Sequence, residues 1–90
     1  MVILEDSFDR KLALKKFRGS CSAFIKKPLV RKIILEKFNN KCCECSMTEN
    51  LQIDHVESVL RCFKRAAFHL CNSEENLQVL CGSCNASKLP

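Results

Sequence analysis

The chain has 90 residues and a formal net charge of +5. This length allows one domain at most, whose apolar core is marginal unless something such as a bound metal supports it. No apolar run approaches the roughly 18 residues of a membrane span, and Glu5 and Asp6 interrupt the apolar start, which does not fit a secretory signal peptide. We therefore expect an intracellular, reducing compartment, cytoplasmic or nuclear, with no membrane partner.

Positive charge is concentrated in the first part of the chain. Residues 1–41 carry 11 Lys and Arg against 4 Asp and Glu, whereas residues 42–90 carry 4 against 6. A basic half beside an acidic, cysteine-rich half favours a polyanion binder with a site for a hard cation. On charge alone, a solvated lysine surface is an equally good interpretation.

Two helices are predicted in the basic half. Residues 7–18 predict a short basic helix that Gly19 and Ser20 end. Its inward-facing residues are Phe8, Leu12 and Phe17. Residues 28–38 predict a second helix, because Pro28 suits the first helical position and apolar residues recur at helical spacing. Those apolar residues are Leu29, Val30, Ile33, Ile34 and Phe38.

Short strands and helices are predicted in the second half. Residues 51–53 and 77–80 predict two strands, and residues 83–89 begin a final helix that is very short. Residues 57–70 are the most periodic segment and predict one helix. Its apolar face consists of Val59, Cys62, Phe63, Ala66, Ala67 and Leu70.

Four cysteines stand in two pairs at metal-binding spacing. Cys42 and Cys45 are separated by two residues, and so are Cys81 and Cys84. Each pair can bind a metal ion from one tight turn, and the two pairs together supply four thiolate ligands in tetrahedral geometry. Because soft thiolates select zinc over hard cations, the pattern predicts a structural Zn²⁺ site.

The remaining cysteines lack this arrangement. Cys43 is separated from Cys45 by one residue rather than two. Cys21, Cys62 and Cys71 have no second cysteine at the spacing of a metal-binding pair. We expect Cys62 and Cys71 to be packed as small apolar residues. Four disulfides in a secreted domain would also use eight cysteines, but that alternative needs an oxidising compartment.

Further residues stand in register with the two cysteine pairs. Asp54-His55 follows the first strand, Asn76 precedes the second, and Cys84 is followed by Asn85 and, three residues later, by Lys88. In this order the pattern resembles the HNH endonuclease family, in a form that has asparagine at the last position of the motif and a four-cysteine zinc site. The resemblance covers about residues 28–88, most of the chain.

The resemblance implies a small α+β fold. Its centre would be a ββα-metal (HNH) core, in which two strands and a helix form the active site and the four-cysteine zinc site ties their loops together. Residues 28–90 would be the nuclease domain. Residues 1–27, outside the resemblance, would be a basic N-terminal helical extension of a single compact domain.

The resemblance also implies a role for each residue of the motif. His55 would be the general base, since an imidazole titrates near physiological pH. Asp54 and Asn85 would offer oxygen ligands to a catalytic Mg²⁺ or Mn²⁺ ion, which stabilises charge on the scissile phosphate. Asn76 would brace the loop that orients the histidine, and Lys88 would sit by a phosphate or support the helix.

Each of these residues has a structural alternative. Asp54 and Asn76 are also common turn residues, Asn85 is a possible helix cap, and a histidine can simply end a strand. The rival histidine, His69, has no carboxylate neighbour in sequence and is interpreted as structural. Three further basic residues between His55 and Asn76 are candidates for phosphate contacts or for a solvated helix face. They are Arg61, Lys64 and Arg65.

The leading hypothesis is therefore a metal-dependent DNA endonuclease. It would hydrolyse phosphodiester bonds, by nicking or by double-strand cleavage, and leave 5′-phosphate and 3′-hydroxyl ends as the family does. The alternatives are a non-catalytic, zinc-stabilised DNA-binding module, or a nuclease subunit that needs a partner. The expected partner is DNA, with a homodimer or a larger nuclease assembly as a further possibility.

Overall fold

A computed structural model describes residues 9–88 and gives a small α+β fold. In chain order the elements are α1 (Arg10–Ile25), α2 (Pro28–Lys37), β1 (Leu51–His55), α3 (Val59–Lys64), α4 (Phe68–Cys71), a 3₁₀ turn (Glu74–Asn76), β2 (Leu77–Cys81) and α5 (Gly82–Ser87). The strands pair antiparallel, with Leu51 opposite Cys81 and His55 opposite Leu77. Within residues 9–88, no helix is long and apolar enough to cross a membrane.

The first helix continues beyond the predicted end. The sequence predicts a helix over residues 7–18, whereas α1 continues through Gly19 to Ile25. A glycine inside a helix destabilises it by only about 1 kcal/mol relative to alanine. Cys21 and Phe24, two and five residues later, pack against the two cores, and this packing outweighs the weak helix propensity of the glycine.

Local signals define both ends of α1. The carboxylate of Asp9 caps its start, where Oδ1 accepts a hydrogen bond from the Leu12 N–H at 3.1 Å. At the other end, Lys27 is extended because the ring of Pro28 disfavours a helical residue before it. Phe8, predicted to face inward, lies outside the described residues, and Leu12 is 47% exposed, so its predicted inward position is wrong.

The helix predicted over residues 57–70 is broken into α3 and α4. Ala66 has a φ of 56°, in the left-handed region that ends helices. The Ala67 N–H donates to the Cys62 carbonyl at 2.8 Å, and the Ala66 N–H donates to the Phe63 carbonyl at 3.1 Å. This pair of bonds is the Schellman arrangement, with alanine in the position that glycine usually takes. The chain therefore turns where the periodicity predicts one continuous face.

Side-chain burial differs from the prediction on two helices. On α2, Leu29 is 68% and Ile33 is 46% exposed, so the inward face is narrower than the apolar spacing predicts, whereas Ile34 is buried. Leu70, predicted to be on the apolar face of residues 57–70, is half exposed because the turn at Ala66 redirects α4.

The final helix and the strands lie close to the predicted positions. α5 begins at Gly82, one residue before the predicted start, and ends at Ser87 with Lys88 as its cap. Residue 89 of the predicted helix lies outside the described residues. Each strand extends past its prediction, so that β1 includes Asp54 and His55.

The two faces of the hairpin have different surroundings. On one face Ile53, Leu77 and Val79 pack with Ile34 of α2 as the main core. Side chains alternate along a strand, so Gln52 and Asp54 point to the opposite face, which α5 covers.

A second core joins α1 to the chain beyond β1. Cys21, Cys62 and Cys71 pack together as buried side chains. Beside them the ring of Phe17 lies 6.0 Å from Phe63 and 5.4 Å from Phe68, measured between ring centroids. Helix α1 therefore shares a core with α3 and α4, and Cys62 and Cys71 are packed as predicted.

Candidate functional site

The two predicted cysteine pairs meet at one end of the hairpin. The Sγ atoms of Cys42, Cys45, Cys81 and Cys84 all lie within 4.8 Å of one another, and those of Cys45 and Cys81 are 3.7 Å apart. Four sulfurs at the usual Zn–S distance of about 2.3 Å in a tetrahedron are separated by about 3.8 Å. A disulfide would bring two sulfurs to about 2.05 Å, and these cysteines are free thiols. The cluster can therefore hold a metal ion such as zinc.

Backbone hydrogen bonds shape both cysteine pairs. Ser46, with a φ of 65°, donates its N–H to the Cys42 carbonyl at 2.9 Å and closes the first turn. At the second pair, the Gly82 N–H donates to the Asn50 carbonyl at 3.0 Å. A side chain at Gly82 would collide with the Asn50 amide, so glycine allows this close approach.

The pKa values of Cys42 and Cys84 in this cluster are shifted in opposite directions. Burial raises the pKa of Cys42, but hydrogen bonds from the backbone N–H groups of Cys81, Cys45 and Glu44 lower that pKa to about 6. Contact with the thiols of Cys81 and Cys45 raises the pKa of Cys84. One thiolate is therefore favoured, and its negative charge disfavours the next. A divalent cation among the sulfurs would ionise all four.

A polar network lies between β1 and α5. Lys88 Nζ donates to Asp54 Oδ2 at 2.5 Å, and Gln78 Nε2 donates to the same oxygen at 3.1 Å. One helical turn before Lys88, the Asn85 amide donates to Gln52 Oε1 at 2.5 Å. Because Gln52 and Asp54 lie on the same face of β1, three predicted site residues (Asp54, Asn85 and Lys88) share this network.

In this network, the positively charged ammonium group of Lys88 contacts two oxygen atoms. Besides Asp54, the ammonium of Lys88 donates to the backbone carbonyl of His55. Carboxylate and carbonyl oxygens are the ligands that hard cations prefer. An open cleft of about 540 Å³ adjoins this network, with Gln78 and Lys88 in its wall beside Ser87 of α5. The arrangement therefore places the Lys88 ammonium group in the wall of the cleft, where it can contact an anion.

Asn76 fastens the segment that follows His55. Its Oδ1 accepts from the Glu57 N–H at 2.8 Å, while its Nδ2 donates to the carbonyls of Glu57 at 3.2 Å and Cys71 at 2.8 Å. The backbone of Asn76 also accepts from the Val56 N–H at 2.8 Å. Asn76 thus links the end of α4 to the two residues after β1, to Glu57 through its side chain and to Val56 through its backbone.

His55 does not lie with Asp54. Its side chain is 6% exposed, and its Nε2 is 2.8 Å from Oδ1 of Asn72. Alternation along β1 turns this ring toward the Cys21 and Cys71 thiols, on the face opposite Asp54. The structure therefore brings together the predicted metal ligands and the lysine, and separates the predicted base from them. His69, the rival histidine, is exposed on α4.

Two of the predicted DNA contacts are in ion pairs. Arg65 donates two hydrogen bonds to the Glu57 carboxylate at 2.6 and 2.7 Å, and Lys88 is bound to Asp54. Lys64 is exposed, and Arg61 lies in one shallow groove with Arg65, beside the strand end. The bidentate pair leaves Arg65 less available to a phosphate than Lys64 or Arg61.

Sequence reasoning missed two features around His55. The first is the cluster of Cys21, Cys71 and His55, whose ligand atoms all lie within 4.8 Å of one another. The second is Asn72, which holds the imidazole. Strand alternation could have indicated that Asp54 and His55 face opposite sides, but no spacing rule brings Cys21 to Cys71.

No family model, no curated protein and no solved structure gives a significant match to this chain.

Proposed function

We propose that this protein is a metal-dependent DNA endonuclease of the HNH type. The observation that carries the proposal is the β1–β2–α5 unit, in which Asp54 contacts Lys88 and Asn85 lies one helical turn away. The chemistry of that unit, hard oxygen ligands beside an ammonium group, suits the binding of a divalent cation and a phosphate. The four-cysteine cluster at the other end of the hairpin would supply the structural zinc.

In this proposal Asp54 Oδ2 and the Asn85 amide oxygen would hold Mg²⁺ or Mn²⁺. Both groups have present partners that they would exchange: Lys88 for the carboxylate and Gln52 for the amide. Asn85 would turn its oxygen, rather than its nitrogen, toward the ion. Lys88, released from Asp54, would then contact the phosphate. An ion held there would supply stabilisation of the negative charge that develops on the phosphate and on the leaving oxygen.

The base in this proposal is His55, and it has to leave its buried position. Its ring would exchange the contact with Asn72 for a water molecule at the end of β1. The segment after His55 stays in place during this change because Asn76 holds Glu57 through two hydrogen bonds. The neutral imidazole would then accept a proton from the attacking water.

The experiment is a supercoiled plasmid nicking assay with Mg²⁺, Mn²⁺ or EDTA. Nicking should require the metal, and His55→Ala should slow it by about 10²–10⁴-fold, as is typical for loss of a general base. His69→Ala is the matched control, since this histidine is exposed and outside the network. Unchanged nicking by His55→Ala, or nicking that survives EDTA in the wild type, would reject the proposed mechanism.

The proposed Mg²⁺ ligands can be tested separately from the base by measuring the metal dependence of nicking. Asp54→Ala and Asn85→Ala should each raise the Mg²⁺ concentration needed for half-maximal nicking, because each removes an oxygen ligand. Lys64→Ala, an exposed residue of α3, should leave that concentration unchanged. If Asn85→Ala has the metal dependence of the wild type, Asn85 is only part of the network with Gln52.

A second candidate is a zinc-stabilised DNA-binding module that does not cut. Two observations favour it: His55 is buried against Asn72, and the charge of Asp54 is neutralised by Lys88. Basic residues exposed on α1 and α2 would then bind phosphates, and affinity should fall steeply between about 50 and 200 mM salt. Such salt-dependent binding without metal-dependent nicking would select this candidate.

A further inference from the structure

Three buried potential metal ligands meet between α1, β1 and α4. Cys21 and Cys71 are fully buried, His55 is 6% exposed, and one ligand atom from each lies within 4.8 Å of the other two. The Sγ atoms of Cys21 and Cys71 are 3.8 Å apart. That separation equals the edge of about 3.8 Å expected for two thiolates on one tetrahedral zinc ion.

A fourth potential ligand packs against this group. Cys62 is 1% exposed and packs with Cys21 and Cys71, but its Sγ lies outside the set of ligand atoms that are within 4.8 Å of one another. The Cys62 sulfur now lies 3.7 Å from the Glu57 carbonyl, a weak bond that it can give up. Three sulfurs and one imidazole form a common ligand set of structural zinc sites.

We propose that Cys21, Cys62, Cys71 and His55 bind a second metal ion, a soft divalent cation such as Zn²⁺. The ligand chemistry selects this class, because thiolates and imidazole favour zinc over Mg²⁺ or Ca²⁺. Binding releases the thiol protons to solvent, and the ion compensates the thiolate charges inside the core.

A polar contact to the histidine ring supports this site. Asn72 Oδ1 lies 2.8 Å from Nε2 of His55 and fixes the orientation of the ring, as polar groups do around metal-bound histidines. Asn72 directly follows Cys71, so the same short segment supplies a ligand and the group that orients another.

This metal would link parts of the chain that are far apart in sequence. Cys21 belongs to α1, His55 ends β1, and Cys71 ends α4. In a chain of 90 residues, such a link would replace much of the stability that a larger core gives. Bound to the metal, His55 would have no free lone pair with which to accept a proton from water, so the base role proposed above requires molecules in which this site is empty.

The test is a Co²⁺ titration of the full-length, reduced, metal-free protein. Thiolate-to-cobalt charge-transfer absorption counts only sites with sulfur ligands, so a cation on Asp54 and Asn85 does not contribute. The wild type should bind two equivalents by this signal, and Cys71→Ala and Cys21→Ala should each bind one. Cys43→Ala, which removes an exposed thiol outside both clusters, should still bind two.

A second measurement uses only the wild-type protein, so it does not depend on whether the alanine variants fold. Its ¹¹³Cd NMR spectrum should contain two resonances, one from a four-sulfur site and one from a site with a nitrogen ligand. One equivalent of cobalt and one cadmium resonance, or a disulfide between Cys21 and Cys71 in freshly purified protein, would overturn the proposal. None of these measurements uses DNA cleavage, so a failure of the proposed nuclease function leaves this result intact.

Discussion

Asn76→Ala should unfold this protein at a much lower temperature. Alanine removes three side-chain hydrogen bonds, two to Glu57 and one to the Cys71 carbonyl. Each contributes roughly 1 kcal/mol net, and solvent replaces part of that because the site is half-buried, so we expect a loss of about 2–3 kcal/mol. For a domain of this size, that loss lowers the Tm by roughly 10–20 °C.

The assay is thermal unfolding followed by circular dichroism at one fixed free zinc concentration, because bound zinc shifts the Tm. Asn85→Ala is the matched control, since it loses one hydrogen bond at an exposed site and should change stability by less than about 0.5 kcal/mol. Asn76→Asp keeps the acceptor for the Glu57 N–H but loses both donated hydrogen bonds, so its Tm should be no higher than that of Asn76→Ala. Equal Tm values for Asn76→Ala and Asn85→Ala would refute the bracing role.

Three further predictions concern the zinc cluster and the turn between α3 and α4. Cys45→Ser and Cys81→Ser should lose both zinc, measured by elemental analysis, and folded structure, whereas Cys43→Ser should keep both. Because protons compete with the metal ion for the four thiolates, zinc release to a chromogenic chelator should increase as the pH falls. Release that stays constant between about pH 8 and pH 5 would contradict this. Ala66→Gly should raise stability to denaturant by roughly 0.5–1 kcal/mol by relieving the left-handed alanine, whereas Ala13→Gly inside α1 should lower it by a similar amount.

Local patterns in the sequence were sufficient for the four-cysteine cluster and for both strands. Cys42 and Cys45, like Cys81 and Cys84, each lie within one tight turn, so their spacing alone determines how they can grip a metal. The strands were predictable because short apolar runs precede Asp54 and follow Asn76. In these places local and tertiary preferences agree.

The rest depends on contacts that no local pattern encodes. Gly19 suggests a helix end, but Cys21 and Phe24 continue the buried face of α1. Ala66 has a high helix propensity and nevertheless adopts the left-handed conformation, because Phe68 packs back on Phe17. Packing between α1 and α4 therefore overrides the local signal at both positions.

The same lack of a local signal applies to the thiols around His55. Fifty positions separate Cys21 from Cys71, yet their sulfurs are 3.8 Å apart. Only the folding of α1 onto α4 brings them together, so sequence spacing assigned them no metal.

The occupancy of that second cluster decides what His55 can do. Without a metal, turning the ring out of the core breaks the contact with Asn72 and exposes part of the ring, which costs about 1–3 kcal/mol and leaves between about 0.6% and about 16% of molecules with an available base. A general base accelerates the reaction by about 10²–10⁴-fold, so this population still supports measurable cleavage. A zinc ion held by Cys21, Cys71 and His55 would keep the ring in the core. Structural zinc sites bind with a free energy of about 10–16 kcal/mol, and turning the ring out would also have to break its bond to the metal. A protein that holds two zinc ions and still cuts DNA would therefore need a base other than His55.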